Sequence, residues 1–236
     1  MLKRVAVIND LSSFGGCSLT AATAVLSALG HRVCPLPTAV LSAQSEFPVH
    51  VCQELTALMP RYTAAWQQNR ERFDGVCTGY FADAAQLKHA LRFLDAFQTG
   101  DTLVAVDPVM GDDGALYPSY DRAACAAMKE LVSRASCITP NLTELCLLTD
   151  SDYHAVTAHC READFLGRVA SLASPLSRRC CVIVTGIPKD GCLYNLTVKD
   201  GAFTAVAVKR IGARFSGTGD LFAAVVCGCL LNGSSE

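Results

Sequence analysis

Four consecutive residues carry the sharpest chemical signal in this chain. Gly217-Thr218-Gly219-Asp220 follows Phe215-Ser216 and runs straight into the apolar stretch 221–226. Glycines at 217 and 219 let the backbone turn tightly and approach a ligand with no Cβ in the way. The apolar stretch reads as a helix, so the turn lies at a helix N-terminus. Unpaired N–H groups and the positive dipole end favour a phosphate there. A carboxylate held in such a turn can accept a proton from an attacking hydroxyl. The plainer explanation is an aspartate that serves only the helix dipole, and spacing alone leaves both open.

Two further segments point the same way. Asp107-Pro-Val-Met-Gly-Asp112 begins where an apolar strand ends. A bare charge there is costly unless it is paired or meets a cation. Glu144 follows Asn141 by three residues, which puts both on one side of a helix start. Hard oxygen ligands of this kind suit Mg²⁺, which keeps waters and shares substrate phosphates. Alone, Asn141 and Glu144 also read as an N-cap with its glutamate partner. Other motifs are missing. There is no G-x-x-x-x-G-K-[ST] loop, Ser12–Cys17 lacks the G-x-G-x-x-G spacing, and no G-x-S-x-G elbow occurs. The histidines (31, 50, 89, 154, 159) have no ligand spacing and read as solvated or packed, and Trp66 reads as core.

These residues need a scaffold that gathers them. Short apolar runs at 5–8, 32–36, 76–78, 103–107, 137–139 and 180–185 read as strands buried on both faces. Helix-like stretches at 18–29, 63–72, 84–97, 122–133, 143–148 and 161–173 alternate with them. Gly30 stands where a left-handed C-cap is wanted. That alternation implies right-handed crossovers and a mainly parallel sheet covered on both sides. Asp200-Gly201 between 192–198 and 202–208 predicts an antiparallel edge hairpin, whereas 42–59 reads as a loop with one short helix. Ligands of open parallel sheets gather beyond the carboxyl ends of the strands. Asn9-Asp10, Thr78-Gly79-Tyr80, Asp107, Thr139-Pro140-Asn141 and Thr185-Gly186 all fall at such ends.

Composition sets the class. The chain has 236 residues, 51% hydrophobic and 18% charged, which suits one α/β domain and excludes a disordered chain. A formal charge of −2 gives no electrostatic reason to expect nucleic acid. The apolar run 221–231 is too short to span a membrane. The N-terminus lacks a signal-peptide core, so a cytoplasmic protein is expected. Thirteen cysteines with no C-x-x-C pair and an odd count read as buried reduced thiols rather than a zinc site or disulfides.

Taken together, these blocks resemble the ribokinase superfamily: GTGD before a helix, Asn141-x-x-Glu144 and a D-P-V-M-G strand end. Val7-Ile-Asn-Asp-Leu-Ser-Ser-Phe-Gly15, Pro35-Leu-Pro-Thr-Ala-Val-Leu-Ser42, Thr78-Gly-Tyr80 and Ile138-Thr-Pro-Asn-Leu-Thr-Glu144 narrow the resemblance. The branch they resemble is the pyridoxal/pyridoxamine kinases, and the resemblance covers about residue 3 to about residue 231.

The resemblance implies a three-layer α/β/α ribokinase-like fold and ATP-dependent phosphorylation of the 5′-hydroxymethyl group of a vitamin B6 vitamer. It implies Asp220 as catalytic base and Gly217, Thr218 and Gly219 as the anion hole. Asp107, Asn141 and Glu144 would organise Mg²⁺ and the ATP phosphates, with Asp112, Thr139 and Thr185 on the nucleotide side. Asp10, Tyr80 and Ser45 would meet the vitamer. A homodimer is the assembly relatives often form, and a monovalent cation requirement stays open. Two departures stand out. Ala43-Gln44-Ser45-Glu46-Phe47 replaces the family's Asn-His-Thr-Gly-Phe, and the chain ends at Glu236 where relatives continue. The expectation is therefore a single kinase domain over 1–236 lacking the usual C-terminal segment. A hydroxymethylpyrimidine kinase, another ribokinase-like small-molecule kinase and a non-catalytic binder are the alternatives.

Overall fold

The computed structural model describes residues 2–212 and 215–234. In chain order the elements are β1 (Arg4–Phe14), α1 (Ser18–Ala28), β2 (Arg32–Ala43), β3 (Cys52–Glu54), α2 (Met59–Gln68), β4 (Gly75–Thr78), α3 (Ala84–Phe97) and β5 (Leu103–Val106). There follow β6 (Gly111–Asp112), β7 (Ala115–Leu116), α4 (Arg122–Val132), β8 (Cys137–Ile138), α5 (Leu142–Leu148), α6 (Tyr153–Thr157) and α7 (Phe165–Ser177). The last four are β9 (Cys181–Lys189), β10 (Cys192–Lys199), β11 (Ala202–Lys209) and α8 (Thr218–Leu231).

Nine strands form one sheet in the order β11-β10-β9-β8-β5-β4-β1-β2-β3. The central ladders from β9 to β2 are parallel, while β10, β11 and β3 add antiparallel pairs at the edges. Alternate residues of β1 enter opposite cores. Ala6 and Ile8 join Leu87, Leu94, Met128, Leu131 and Val169, whereas Val5 and Val7 join Leu19, Leu26, Ala224 and Cys227. Both faces are therefore dry, which is why these strands carry unbroken apolar runs. The architecture is the expected three-layer α/β/α fold with a mainly parallel sheet and an antiparallel edge hairpin.

Local signals act where chemistry requires them. Asp83 caps α3 by accepting the Gln86 N–H at 2.8 Å, and Asp121 caps α4 by accepting the Ala124 N–H at 2.7 Å. Both satisfy N–H groups that the first helical turn leaves unpaired. Gly30 ends α1 at φ 86°, with the His31 N–H returning to the Leu26 carbonyl, a left-handed stop that glycine adopts without strain. Asp200-Gly201 turns the β10–β11 hairpin with φ of 49° and 82°, as its sequence predicts. Asp190-Gly191 and Asp113-Gly114 make the same left-handed pair between β9 and β10 and between β6 and β7.

Several expectations need correction. The segment 42–59 is not a loop with one helix, because β3 pairs with β2 through Ala39–Leu41 and α2 begins at Met59. Strands β1 and β2 continue well past the sheet's rim, because they stay paired after a register shift at Asn9/Leu11. The helix expected at 161–173 is α7, shifted to Phe165–Ser177 and running through Pro175, and the short α6 precedes it at Tyr153–Thr157. Seven thiols are buried (17, 77, 137, 146, 180, 181, 227), but Cys52 is exposed on the edge strand β3. Trp66 packs against Tyr62, Phe73 and Phe93, as expected of core. Among the described residues no helix is long and apolar enough to cross a membrane.

Candidate active site

The glycine turn leads directly into α8. Gly217 is its N-cap at φ 81°, a left-handed conformation that L side chains rarely adopt. A Cβ there would also lie 2.8 Å from Cys17 Cβ and 3.2 Å from the Gly16 carbonyl oxygen, so the turn is wedged against the start of α1. Thr218 donates its hydroxyl back to the Phe215 carbonyl at 3.3 Å. A Cβ on Gly219 would stand 3.7 Å from Asp107 Oδ2, which brings the end of β5 to the turn.

Asp220 sits in the first turn of α8, and its Oδ1 accepts the side-chain amide of Asn9 at 2.9 Å. Burial raises its carboxyl above the ordinary range. The Ser18 N–H and the Asn9 amide partly offset that, and the negative charge of Asp10 adds to it. Asp107 accepts the Thr139 hydroxyl at 2.9 Å through Oδ1. Burial first, and then the charge of Asp220, push its carboxyl up to about 7 against that hydrogen bond.

Asn141 and Glu144 form a complete capping box at the start of α5. Asn141 Oδ1 accepts the Glu144 N–H at 2.9 Å, and Glu144 Oε2 accepts the Asn141 N–H at 2.8 Å. The same two side chains reach across to the β5–β6 connection. The Asn141 amide donates to the Gly111 carbonyl at 2.9 Å, and Glu144 Oε1 accepts the Met110 N–H at 3.2 Å. Glu144 is 4% exposed. Burial followed by repulsion from Asp107 raises its carboxyl despite both N–H bonds. The cap and the site reading therefore hold together: the cap fixes a carboxylate beside Asp107.

The remaining expected residues fall on the same rim with one exception in kind. Asp10 is buried and accepts the Ser12 hydroxyl at 2.8 Å. Tyr80 is half-buried, its hydroxyl pKa raised by burial against a bond to Ser119. The Thr185 N–H donates to the Pro140 carbonyl at 2.8 Å beside the Asn141–Thr185 bridge. Asp112 is exposed on β6 and accepts the Asp113 N–H. Ser45 differs: it lies exposed on the connection between β2 and β3. Its neighbour Glu46 makes the contact to the turn, accepting the Ser216 hydroxyl.

Chemically, the rim offers a carboxylate able to accept a proton, a glycine turn at a helix N-terminus and a set of hard oxygen donors. Asp107 suits Mg²⁺, while both oxygens of Glu144 are taken by N–H donors and would act through water. Among the described residues no three His, Cys, Asp or Glu side chains converge enough to hold a metal alone, so a cation here needs ligand phosphates or waters. Sequence reasoning placed Asn9 at a strand's carboxyl end without giving it a role, and saw Glu46 only as a departure from the family. The structure ties Asn9 to Asp220 and Glu46 to Ser216 beside the glycine turn.

Comparison with known proteins agrees with the geometry. A profile described as phosphomethylpyrimidine kinase matches residues 13–236. The chain is 31% identical over 166 residues to the pyridoxine/pyridoxal/pyridoxamine kinase of Bordetella avium, covering 68% of this chain and 53% of that relative. It thus spans about half the length of that bacterial relative. It is 26% identical over 223 residues to human pyridoxal kinase, covering 87% of this chain and 70% of the human one. Among solved structures, a Bacteroides thetaiotaomicron protein described as a phosphomethylpyrimidine kinase, in a form with pyridoxal, superposes with a TM-score of 0.89 at 34% identity. That superposition covers 100% of this chain and 82% of the other. Pyridoxal kinase from Lactobacillus plantarum superposes with a TM-score of 0.88 at 29% identity, again covering 100% of this chain and 82% of the other.

Proposed function

This chain belongs to the phosphomethylpyrimidine kinase family, and from that premise we propose that it transfers the γ-phosphoryl group of ATP to the 5′-hydroxymethyl group of a vitamin B6 vitamer. The observation that carries the reading is the half-buried Asp220 carboxylate in the first turn of α8, directly after the left-handed Gly217 turn. The vitamer assignment leans on the Bacteroides relative, whose structure contains pyridoxal.

In this reading Asp220 accepts the proton of the primary hydroxyl as that oxygen attacks the γ-phosphorus. A new O–P bond forms, the bond from phosphorus to the β,γ-bridging oxygen breaks, and ADP leaves with the electron pair. A carboxyl raised by burial is a better proton acceptor than an exposed one, which suits a base. The N–H groups of Gly217, Thr218 and Gly219 stabilise charge on the transferring group from fixed positions. Asp107 would hold Mg²⁺, with Asn141 and Glu144 acting through water; when bound, the ion neutralises phosphate charge. Thr139 orients Asp107 by its hydroxyl. Asp112 and Thr185 flank the nucleotide, while Asp10, Tyr80 and Ser45 belong to the vitamer side. A single domain, a homodimer and a cytoplasmic setting complete the reading.

The family description names a pyrimidine kinase, and hydroxymethylpyrimidine, which also presents a primary hydroxyl on a heteroaromatic ring, is the second acceptor to test. One assay decides. ATP-dependent phosphorylation of pyridoxal, pyridoxamine, pyridoxine and hydroxymethylpyrimidine is measured with the wild-type chain and Asp220→Asn. Turnover on a vitamer that falls about 10²–10³-fold in the variant supports the proposal. Turnover confined to the pyrimidine, or none that depends on Asp220, overturns it.

A further inference from the structure

We infer that Asn9 is the positioning residue for Asp220, setting which carboxylate oxygen faces the acceptor hydroxyl. The inference rests on the kinase reading above and adds a residue to it. Asn9 is 4% exposed, at the carboxyl end of the regular part of β1. Its Oδ1 accepts two backbone N–H groups, those of Asp10 at 2.9 Å and Tyr80 at 2.8 Å. Backbone amides only donate, so the carbonyl oxygen must face them and the amide nitrogen must face Asp220. The orientation of Asn9 is thereby fixed by its surroundings, and its N–H reaches Asp220 Oδ1 at 2.9 Å across 211 residues of sequence.

Two neighbours show that this placement is built in. Gly79 lies so close that an added Cβ would meet the Asn9 amide nitrogen at 2.3 Å, so the glycine leaves the space Asn9 occupies. The register of β1 shifts immediately after Asn9, where the chain leaves the regular ladder with β2. Asn9 holds Oδ1 of Asp220 and the Ser18 N–H also bonds the carboxylate, so these two donors together set how its oxygens face an incoming hydroxyl. A carboxylate held by the Ser18 N–H alone would rotate about that one bond, and only a fraction of encounters would find the base aligned.

Asn9→Ala removes the donor to Asp220 without the second buried carboxylate that Asn9→Asp would set 2.9 Å from Oδ1. Gly79→Ala is a companion that displaces the side chain. Turnover of Asn9→Ala is expected to fall about 10–100-fold. In an Asp220→Asn background the same change should cost under about threefold more, because residues acting as one unit are not additive. If the double variant loses the product of the two single losses, Asn9 acts independently of Asp220 and the inference is overturned. A crystal structure of Asn9→Ala supplies a readout that does not need activity. The Asp220 carboxylate leaving its rotamer supports the inference, and an unmoved carboxylate overturns it. Should no acceptor be phosphorylated by the wild-type chain, the functional proposal fails, while that rotamer still decides the role of Asn9.

Discussion

Asp107 and Asp220 reach the same glycine turn from opposite elements, one at the end of β5 and one in the first turn of α8. The charge of Asp220 helps hold the Asp107 carboxyl up at about 7, after burial itself. Neither carboxylate has a cationic side chain as its ion-pair partner among the described residues. Such a site is costly when empty and is relieved by a bound cation with its phosphates.

The first prediction follows from linkage. Asp107, Glu144 and Asp220 all bind protons more tightly when folded than when unfolded. Between the ordinary carboxylate range and about pH 7 the folded state therefore holds more protons, and stability falls as pH rises through that window. The free protein should melt at a higher temperature near pH 5 than near pH 8. Asp107→Asn should flatten this slope and raise Tm at pH 8 by about 2–8 °C, while turnover collapses. Thermal melts of both proteins across that pH range check it, and a steeper slope in the variant would contradict it.

The glycine turn gives a paired prediction. Gly217→Ala meets a left-handed φ of 81° and rigid backbone at Cys17 and Gly16. A loss of about 1–3 kcal/mol and about 10²-fold in turnover is expected. Gly219→Ala would place its Cβ at an ordinary 3.7 Å from Asp107 Oδ2. That variant should fold with under about 1 kcal/mol of loss, so any deficit in it is kinetic. Urea midpoints alongside initial rates separate the two.

Glu46 offers a test of the substrate loop. It ties the connection between β2 and β3 to Ser216, beside the turn read as phosphate-binding. Its exposed charge opposes an anion there, but water and salt weaken it. Glu46→Gln should lower the KM for ATP about twofold at low ionic strength, the size expected of one charge about 8 Å away in water. The difference should vanish at high ionic strength. A KM that rises instead would mean Glu46 orders the loop for binding rather than repelling the nucleotide.

The sequence was legible wherever one local rule governs the backbone. Asp-Gly at 200–201 predicted its hairpin because two successive positive-φ positions select for that pair. The same dipeptide turns the chain at 190–191 and 113–114, where β9 runs on to Lys189 past the apolar run that ends at 185 and where β6 and β7 have only two residues each. Continuous apolar runs located the parallel strands, since both faces are covered. What stayed hidden depends on residues distant in sequence. Asn9 becomes part of the site only because β1 and α8 meet, and no spacing rule links residues 9 and 220. The pairing of β3 with β2 was equally silent, because Cys52–Glu54 is short, exposed and paired along its backbone. The capping box is present as its spacing predicts, and it holds Glu144 beside Asp107.

How α8 is seated gives the last prediction, since that helix carries Asp220. Two glycines let it settle against its neighbours. A Cβ on Gly75 of β4 would meet Leu231 Cδ1 at 2.9 Å, and one on Gly228 of α8 would meet Leu29 Cδ1 at 2.5 Å. Leu231 is 4% exposed and has no room to yield. Gly75→Ala should therefore cost about 1–3 kcal/mol by overpacking. Leu29 is half-buried and can swing outward, and replacing glycine by alanine inside a helix returns about 1 kcal/mol. Gly228→Ala should be near neutral despite the shorter contact, with turnover within about twofold of wild type. Denaturant midpoints for the two variants rank them directly. If Gly228→Ala proves the more costly, Leu29 is pinned by its surroundings and the α1–α8 contact is the stiffer of the two.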